Sequence, residues 1–117
     1  MFKKFFILGI LMLVITFTAG TAYSKNIPSI TMLSTRNAPL TSQMERTLKE
    51  LRAKFPGKVL TINVDLEDNP DIAKKYNVRY IPTLIFRNSN GKDIAQVIGY
   101  KTLDEVLATF SESGIRF

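Results

Sequence analysis

The chain contains no cysteine and no histidine among its 117 residues. Without cysteine there is no thiolate nucleophile, no disulfide and no Cys-ligated zinc or iron–sulfur centre. Without histidine, Ser–His and Cys–His catalytic pairs are excluded as well. Only carboxylates remain as metal ligands, a donor set suited to hard ions such as calcium or magnesium. With no cysteines to report on the redox compartment, that information has to come from the N-terminus. Internal repeats and biased segments are also missing, and the apolar and charged fractions, 45% and 22%, are those of an ordinary globular chain. The length allows one domain.

Residues 1–24 read as a targeting segment. Lys3 and Lys4 form a short basic start, Phe5 to Phe17 is an apolar run broken by Gly9 and Thr16, and Ala19, Gly20, Thr21 and Ala22 are all small. That order is the order of a secretory signal peptide, with cleavage expected after Ala22 or Ser24. The alternative is an uncleaved N-terminal membrane anchor, for which the apolar run is short. Either reading places the folded part, residues 25–117, outside the cytoplasm: in the periplasm, or held there at the inner membrane. The absence of cysteine rules out lipid attachment by the bacterial lipoprotein route. Net charge is +6 for the whole chain. Removing Lys3 and Lys4 with the leader leaves a domain of net +4.

The remainder alternates strand and helix signals. Ser29–Ser34 is strand-like, and Thr35–Thr41 is a loop. A helix is expected over 42–55, because Met44, Leu48, Leu51 and Phe55 fall on one apolar stripe, with Glu45, Arg46, Lys49, Glu50, Arg52 and Lys54 opposite. Ser42 and Glu45 have capping-box spacing, and Pro56-Gly57 ends the helix. Val59–Asp65 is a second strand. Asn69-Pro70 opens a short helix, with Asn as cap and Pro in the first turn, running to about Tyr76-Asn77. Thr83–Arg87 and Lys92–Ile98 are strands joined by the Asn88-Ser89-Asn90-Gly91 turn. Thr102 and Glu105 again have capping-box spacing before the stripe Leu103, Val106, Leu107 and Phe110, which ends ahead of Gly114. The first strand–helix–strand unit should be parallel and the hairpin should add antiparallel strands to the same sheet. Helices on both faces make an α/β/α sandwich around a four-stranded mixed sheet. Phe86, Phe110 and Tyr76 are expected in the core.

Other clusters have simple readings. Asp65, Glu67, Asp68 and Asp71 do not follow an EF-hand loop, and a solvated, helix-capping connection accounts for them better than a calcium site. Arg46, Lys49, Arg52, Lys54 and Lys58 form a basic strip interrupted by Glu45 and Glu50, read first as a solvated face and second as a patch for anionic lipid or an acidic partner. Arg36, in the loop before a helix, reads as an exposed arginine, with anion attraction as the alternative. Nucleic acid is not expected as a partner of an exported domain without interleaved exposed aromatics.

One segment carries a family resemblance: Asn63-Val64-Asp65, then Asn69-Pro70-Asp71-Ile72-Ala73-Lys74-Lys75-Tyr76-Asn77-Val78-Arg79-Tyr80-Ile81-Pro82-Thr83-Leu84-Ile85-Phe86, with Gly99 beyond it. The run, and the order of elements from Ser29 to Phe110, resembles the thioredoxins. The fold this implies is a minimal thioredoxin fold. The resemblance assigns to Pro82 the cis-proline that the family places before its third strand here, and to Ile81 the backbone with which members hold an extended peptide. It also exposes a departure. Where the family carries Trp-Cys-x-x-Cys, this chain reads Asn37-Ala38-Pro39-Leu40-Thr41, so Ala38 and Thr41 stand at the two thiol positions. The buried acid of classical members is missing too, since nothing from Lys25 to Met44 is acidic. Thr41 has neither a histidine nor an adjacent lysine to activate its hydroxyl, and Thr41 or Ser42 is expected to cap the helix instead.

Three functional expectations follow. The leading one is a non-catalytic thioredoxin-like module of the bacterial cell envelope. It would use no cofactor and no metal, and would bind extended polypeptide or a partner protein on Ala38, Pro39, Leu40, Ile81, Pro82, Gly99 and Tyr100. The second is a degenerate thiol–disulfide oxidoreductase that acts only beside a partner bearing the thiols. The third is a structural subunit of a membrane-associated envelope complex, docking through Arg46, Lys49 and Arg52.

Overall fold

The computed structural model describes residues 26–117; the expectations for the leader segment lie outside them. The elements are β1 (Ser29–Ser34), α1 (Thr41–Lys54), β2 (Leu60–Asp65), α2 (Pro70–Lys75), β3 (Thr83–Arg87), β4 (Asp93–Ile98) and α3 (Leu103–Glu112). They build one four-stranded sheet in the order β2-β1-β3-β4. β1 and β2 are parallel, while β1–β3 and β3–β4 are antiparallel. Boundaries differ from the sequence expectation by a residue at α1, β2 and β4.

The period-two alternation of the strands divides the sheet into two faces. Ile30 and Met32 of β1 and Leu84 and Phe86 of β3 point to one side, where they meet Met44, Leu48 and Leu51 of α1 and Val106 and Phe110 of α3; all are fully buried and, with Val59, form the main core. The expected helix stripes therefore supply this core. Burying each such side chain contributes about 1.5–3 kcal/mol, so the nine together are the main source of stability. Phe86 and Phe110 meet edge-on with ring centroids 4.9 Å apart.

The opposite face carries α2. Leu33 and Ile85 are buried there, and Arg87 donates to the Tyr76 hydroxyl at 2.7 Å while Gln96 donates to the Tyr76 carbonyl at 2.9 Å. Tyr76 is thus not the core ring expected from the sequence. It is half-buried because its hydroxyl partners an arginine, which itself pairs with Asp93 at 2.6 Å. Burial works against the Arg87 charge, but Asp93 and Tyr76 outweigh it and hold its pKa above the usual value.

Helix starts depart from expectation in an instructive way. The Thr102 hydroxyl accepts from the Glu105 N–H and Glu105 accepts from the Thr102 N–H, which completes a capping box. α1 has none: it begins at Thr41 behind Leu40, with no side-chain cap. The Ser42–Glu45 spacing fails because the chain enters the helix one residue early, leaving Ser42 inside the first turn. Asn69 does precede α2, but its side chain donates to the Asp65 carbonyl at 2.9 Å and does not cap the helix.

Candidate functional site

Register brings three segments to one end of the sheet. Leu33 pairs with Thr83, and Thr83 with Ile98. The loop after Ser34, the residues before Thr83 and the residues after Ile98 therefore leave the sheet side by side. Ala38, Pro39, Leu40, Ile81, Pro82, Gly99 and Tyr100 belong to these three segments. Arg46, Lys49 and Arg52 do not; they line the flank of α1 together with Asn63. Arg52 donates to the Thr61 hydroxyl at 2.6 Å, which ties that flank to β2.

The loop from Thr35 to Leu40 winds into α1 through Ala38 N–H to Thr35 O and Thr41 N–H to Ala38 O, at 3.3 and 3.1 Å. Ala38 is half-buried, whereas Pro39 and Leu40 are exposed. Thr41 is buried and turned inward. Its hydroxyl donates to the Thr35 carbonyl at 3.1 Å and meets the Ser34 hydroxyl, which also reaches the Thr35 carbonyl at 3.1 Å. The two hydroxyls have one proton each, so Thr41 donates to that carbonyl while Ser34 donates either to the same carbonyl or to the Thr41 oxygen. Thr41 is therefore not the expected cap, and it is not presented as a nucleophile: neighbours of this kind orient its hydroxyl but cannot take up its proton.

Arg36 holds the same loop from outside. Its Nε donates to Asp65 at 2.7 Å and an Nη to Asp68 at 2.9 Å. Arg36 is exposed, as the sequence suggested, and it also bridges two carboxylates of the β2–α2 connection. The acidic cluster is correspondingly occupied by a guanidinium and by its own backbone, since Asp65 also accepts from the Glu67 N–H at 2.9 Å. Among the described residues no group of three His, Cys, Asp or Glu side chains could hold a metal ion. The Arg36 hydrogen bond, then the Glu67 N–H, hold the Asp65 carboxyl below the usual carboxylate range against a small opposing effect of burial.

On the opposite side of the site the Ile81–Pro82 peptide is cis. Thr83 donates its hydroxyl to the Tyr80 carbonyl at 2.6 Å, and Gly99 donates its N–H to the Pro82 carbonyl at 2.7 Å. Gly99 has φ +94°, a conformation other residues adopt only under strain. Between these anchors, the Ile81 N–H and C=O have no partner among the described residues. Around them stand apolar side chains in solvent: Tyr80 is 67% exposed, Ile98 54%, Leu40 and Tyr100 each 37%. Lys101 N–H approaches Met44 Sδ at 3.4 Å, which fastens the turn bearing Tyr100 to α1. Tyr80 and Ile98 were not singled out from sequence. A signal for Tyr80 was available, since it directly precedes Ile81-Pro82, whereas Ile98 reads as an ordinary strand residue until its register is known.

Comparison with known proteins agrees with this architecture. The family profile described as Thioredoxin matches residues 39–112. A thioredoxin of Staphylococcus aureus is 40% identical over 63 residues, covering 51% of this chain and 60% of that protein. The chain thus aligns with about three-fifths of the length of the curated relatives it matches. Among solved structures, an uncharacterised thioredoxin-like protein from Clostridium perfringens superposes with a TM-score of 0.66 at 23% identity, over 79% of this chain and 75% of that one. A malarial thioredoxin-2, described as a component of the parasite's protein secretion machinery, superposes with a TM-score of 0.68 at 17% identity, over 74% and 84%. At these identities the two superpositions speak to the fold alone. Profile, relatives and architecture together place this chain in the thioredoxin family, as a member without cysteine.

Proposed function

We propose that this protein is a non-catalytic thioredoxin-like binding module of the bacterial cell envelope, which holds an extended polypeptide, or a partner protein's extended segment, through the main chain of Ile81. The observation that carries the reading is the Ile81 N–H and C=O, which have no partner among the described residues and are set among Leu40, Tyr80, Ile98 and Tyr100. A buried or half-buried amide without a partner is costly, and a peptide laid alongside in extended form supplies both missing hydrogen bonds. The exposed apolar side chains then select what the peptide carries. The chain has no thiol of its own, so capture is non-covalent, and Arg36 and the Ser34–Thr41 pair fix the loop that forms one wall. Export rests on the basic–apolar–small order of residues 1–24.

A photo-crosslinking side chain at Tyr80 tests this in envelope extract, with Ile98→Glu and Tyr100→Glu introduced together as the weakened surface and a second probe at Lys49 as the contrast. Defined adducts at Tyr80 that fall at least tenfold with the glutamates support the peptide site. Adducts from Lys49 alone would transfer the role to the basic flank of α1 and end this reading.

A further inference from the structure

We propose that the end of the sheet at which β1 begins is a docking surface for an anionic lipid bilayer, and that it sets the Ile81 site facing away from the membrane. Register defines this end: Ser29 pairs with both Leu60 and Arg87, and Arg87 pairs with Asp93. The end of α1, the Asn88–Lys92 turn and the C-terminal residues gather around it. Lys58 N–H bonds the Phe55 carbonyl and Leu60 N–H bonds the Pro28 carbonyl, so the exit from α1 lies beside the entry to β1. Phe117 packs on Phe55 with ring centroids 5.4 Å apart, which brings Arg116 to the same place.

Charge is divided between the two ends of the molecule. Lys54, Lys58, Lys92 and Arg116 are exposed at this one, and among the described residues none of them lies within ion-pair distance of a carboxylate. The acidic side chains here are Asp93, which Arg87 takes up at 2.6 Å, and Glu112 at the end of α3. The opposite end, where Ile81 lies, has the reverse balance. The β2–α2 connection and the start of α2 carry Asp65, Glu67, Asp68 and Asp71, and the first turn of α3 carries Asp104 and Glu105. These outnumber Arg36, Arg79 and Lys101, the cations of that end. An anionic surface therefore attracts the first end and repels the second.

A bilayer is favoured over an acidic protein by where the apolar leader joins the fold. Residues 5–17 form the apolar run of the sequence, and the chain enters the fold through Pro28 at this same end. The roughly ten residues between reach at most about 40 Å when extended, so an apolar run held in a bilayer keeps this end close to it. Apolar side chains accompany the cations: Phe55 and Phe117 are half-buried, and Leu60 is 49% exposed. Phenylalanine and leucine beside lysine and arginine suit the boundary between headgroups and acyl chains. Strands of about six residues, each rising about 3.3 Å, set Ile81 roughly 20 Å away from that surface. The inference rests on the export reading of residues 1–24 for how the chain reaches the bilayer, and uses none of the hydrogen bonding at Ile81.

The full-length chain, mixed with vesicles of phosphatidylcholine alone or with about one-third phosphatidylglycerol, should bind the anionic vesicles roughly tenfold more tightly, a preference that salt weakens. Lys54→Glu with Lys58→Glu should cut that preference roughly fivefold, and Lys92→Glu with Arg116→Glu, on other elements of the same end, by a similar factor. Arg46→Glu with Lys49→Glu changes the net charge equally but on the flank of α1, and should alter the preference by less than about twofold. Because the native chain has no cysteine, one thiol-linked fluorophore reports orientation. Placed on Asn90→Cys, in the turn at the docking end, it should be quenched by headgroup-labelled lipid; placed on Asp71→Cys it should not. Equal losses from all three pairs would mean attraction by net charge alone and overturn the proposal. So do equal quenching at the two positions, equal affinity for the two kinds of vesicle, and binding to neither. A chain that binds only the anionic vesicles, and loses them with both pairs of this end, supports the docking surface and removes the anchor reading of residues 1–24. Capture at Tyr80 is measured separately, so either reading can fail without the other.

Discussion

The Arg36 guanidinium reaches from the loop before α1 to Asp65 and Asp68, and the charges on both sides respond. The Asp65 carboxyl is held below its usual range, chiefly by the Arg36 hydrogen bond, and the Arg36 pKa is raised, chiefly by the bond to Asp65. A carboxyl depressed in the folded state binds its proton more readily when unfolded. It therefore stabilises the fold above the unfolded value and loses that contribution as pH falls through the folded one. Arg36→Met should accordingly lower the thermal midpoint at neutral pH, with the gap to the native chain closing as pH falls below the ordinary carboxylate range. The effect will be small and will shrink in high salt, because the pair is solvent-exposed. Thermal scans of both chains between neutral and strongly acidic pH check it. A gap independent of pH would mean that the arginine acts through packing, not charge.

At the scale of elements, two helices with the same N-terminal spacing behave differently. At α3 both halves of the capping box are made, and backbone and side-chain bonds from Thr102 hold the Glu105 carboxyl below its usual value. Thr102→Ala should therefore cost about 1 kcal/mol, read from the urea midpoint, while Ser42→Ala, at a position that caps nothing, should leave the midpoint within about 0.5 kcal/mol of the native chain. The contrast shows what was readable beforehand. Repeating local patterns were: the Met44–Leu48–Leu51 stripe, the β3 strand at Thr83–Arg87 and the turn at Asn88–Gly91 all follow from periodicity and turn chemistry. What escaped were contacts between segments far apart in sequence. Arg36 meets Asp65 across 29 positions, and Arg87 meets Thr31 across 56. Thr41 turns inward because Ser34 and the Thr35 carbonyl stand beside it, and no local spacing encodes that neighbourhood. At the candidate site, Ala38 to Leu40 and Ile81-Pro82 were placed by resemblance, and the exposure of Ile98 needed the β3–β4 register.

For the molecule as a whole, the C-terminal residues close the same core that the helices and sheet build. Phe117 lies 5.1 Å from Phe110 and 5.4 Å from Phe55, centroid to centroid, so three rings connect the end of the chain with α3 and the end of α1. The Ile115 N–H bonds back to the Phe110 carbonyl at 3.0 Å, which directs the tail onto the core. Phe110 in turn packs on Phe86 of β3, so the tail is continuous with the centre of the sheet. If α1, α3 and the sheet form one cooperative unit, loss of the Phe117 ring must be felt by all of them. Phe117→Ala should destabilise global unfolding by about 2 kcal/mol, less than a fully buried phenylalanine because this ring is half-exposed. Hydrogen exchange distinguishes a global effect from a local one. The slowest amides, in β1 and β3, should exchange roughly 30-fold faster in the variant, the factor that corresponds to about 2 kcal/mol. Faster exchange confined to α3 would show that the aromatic end frays on its own and contributes nothing to the stability of the sheet that positions Ile81.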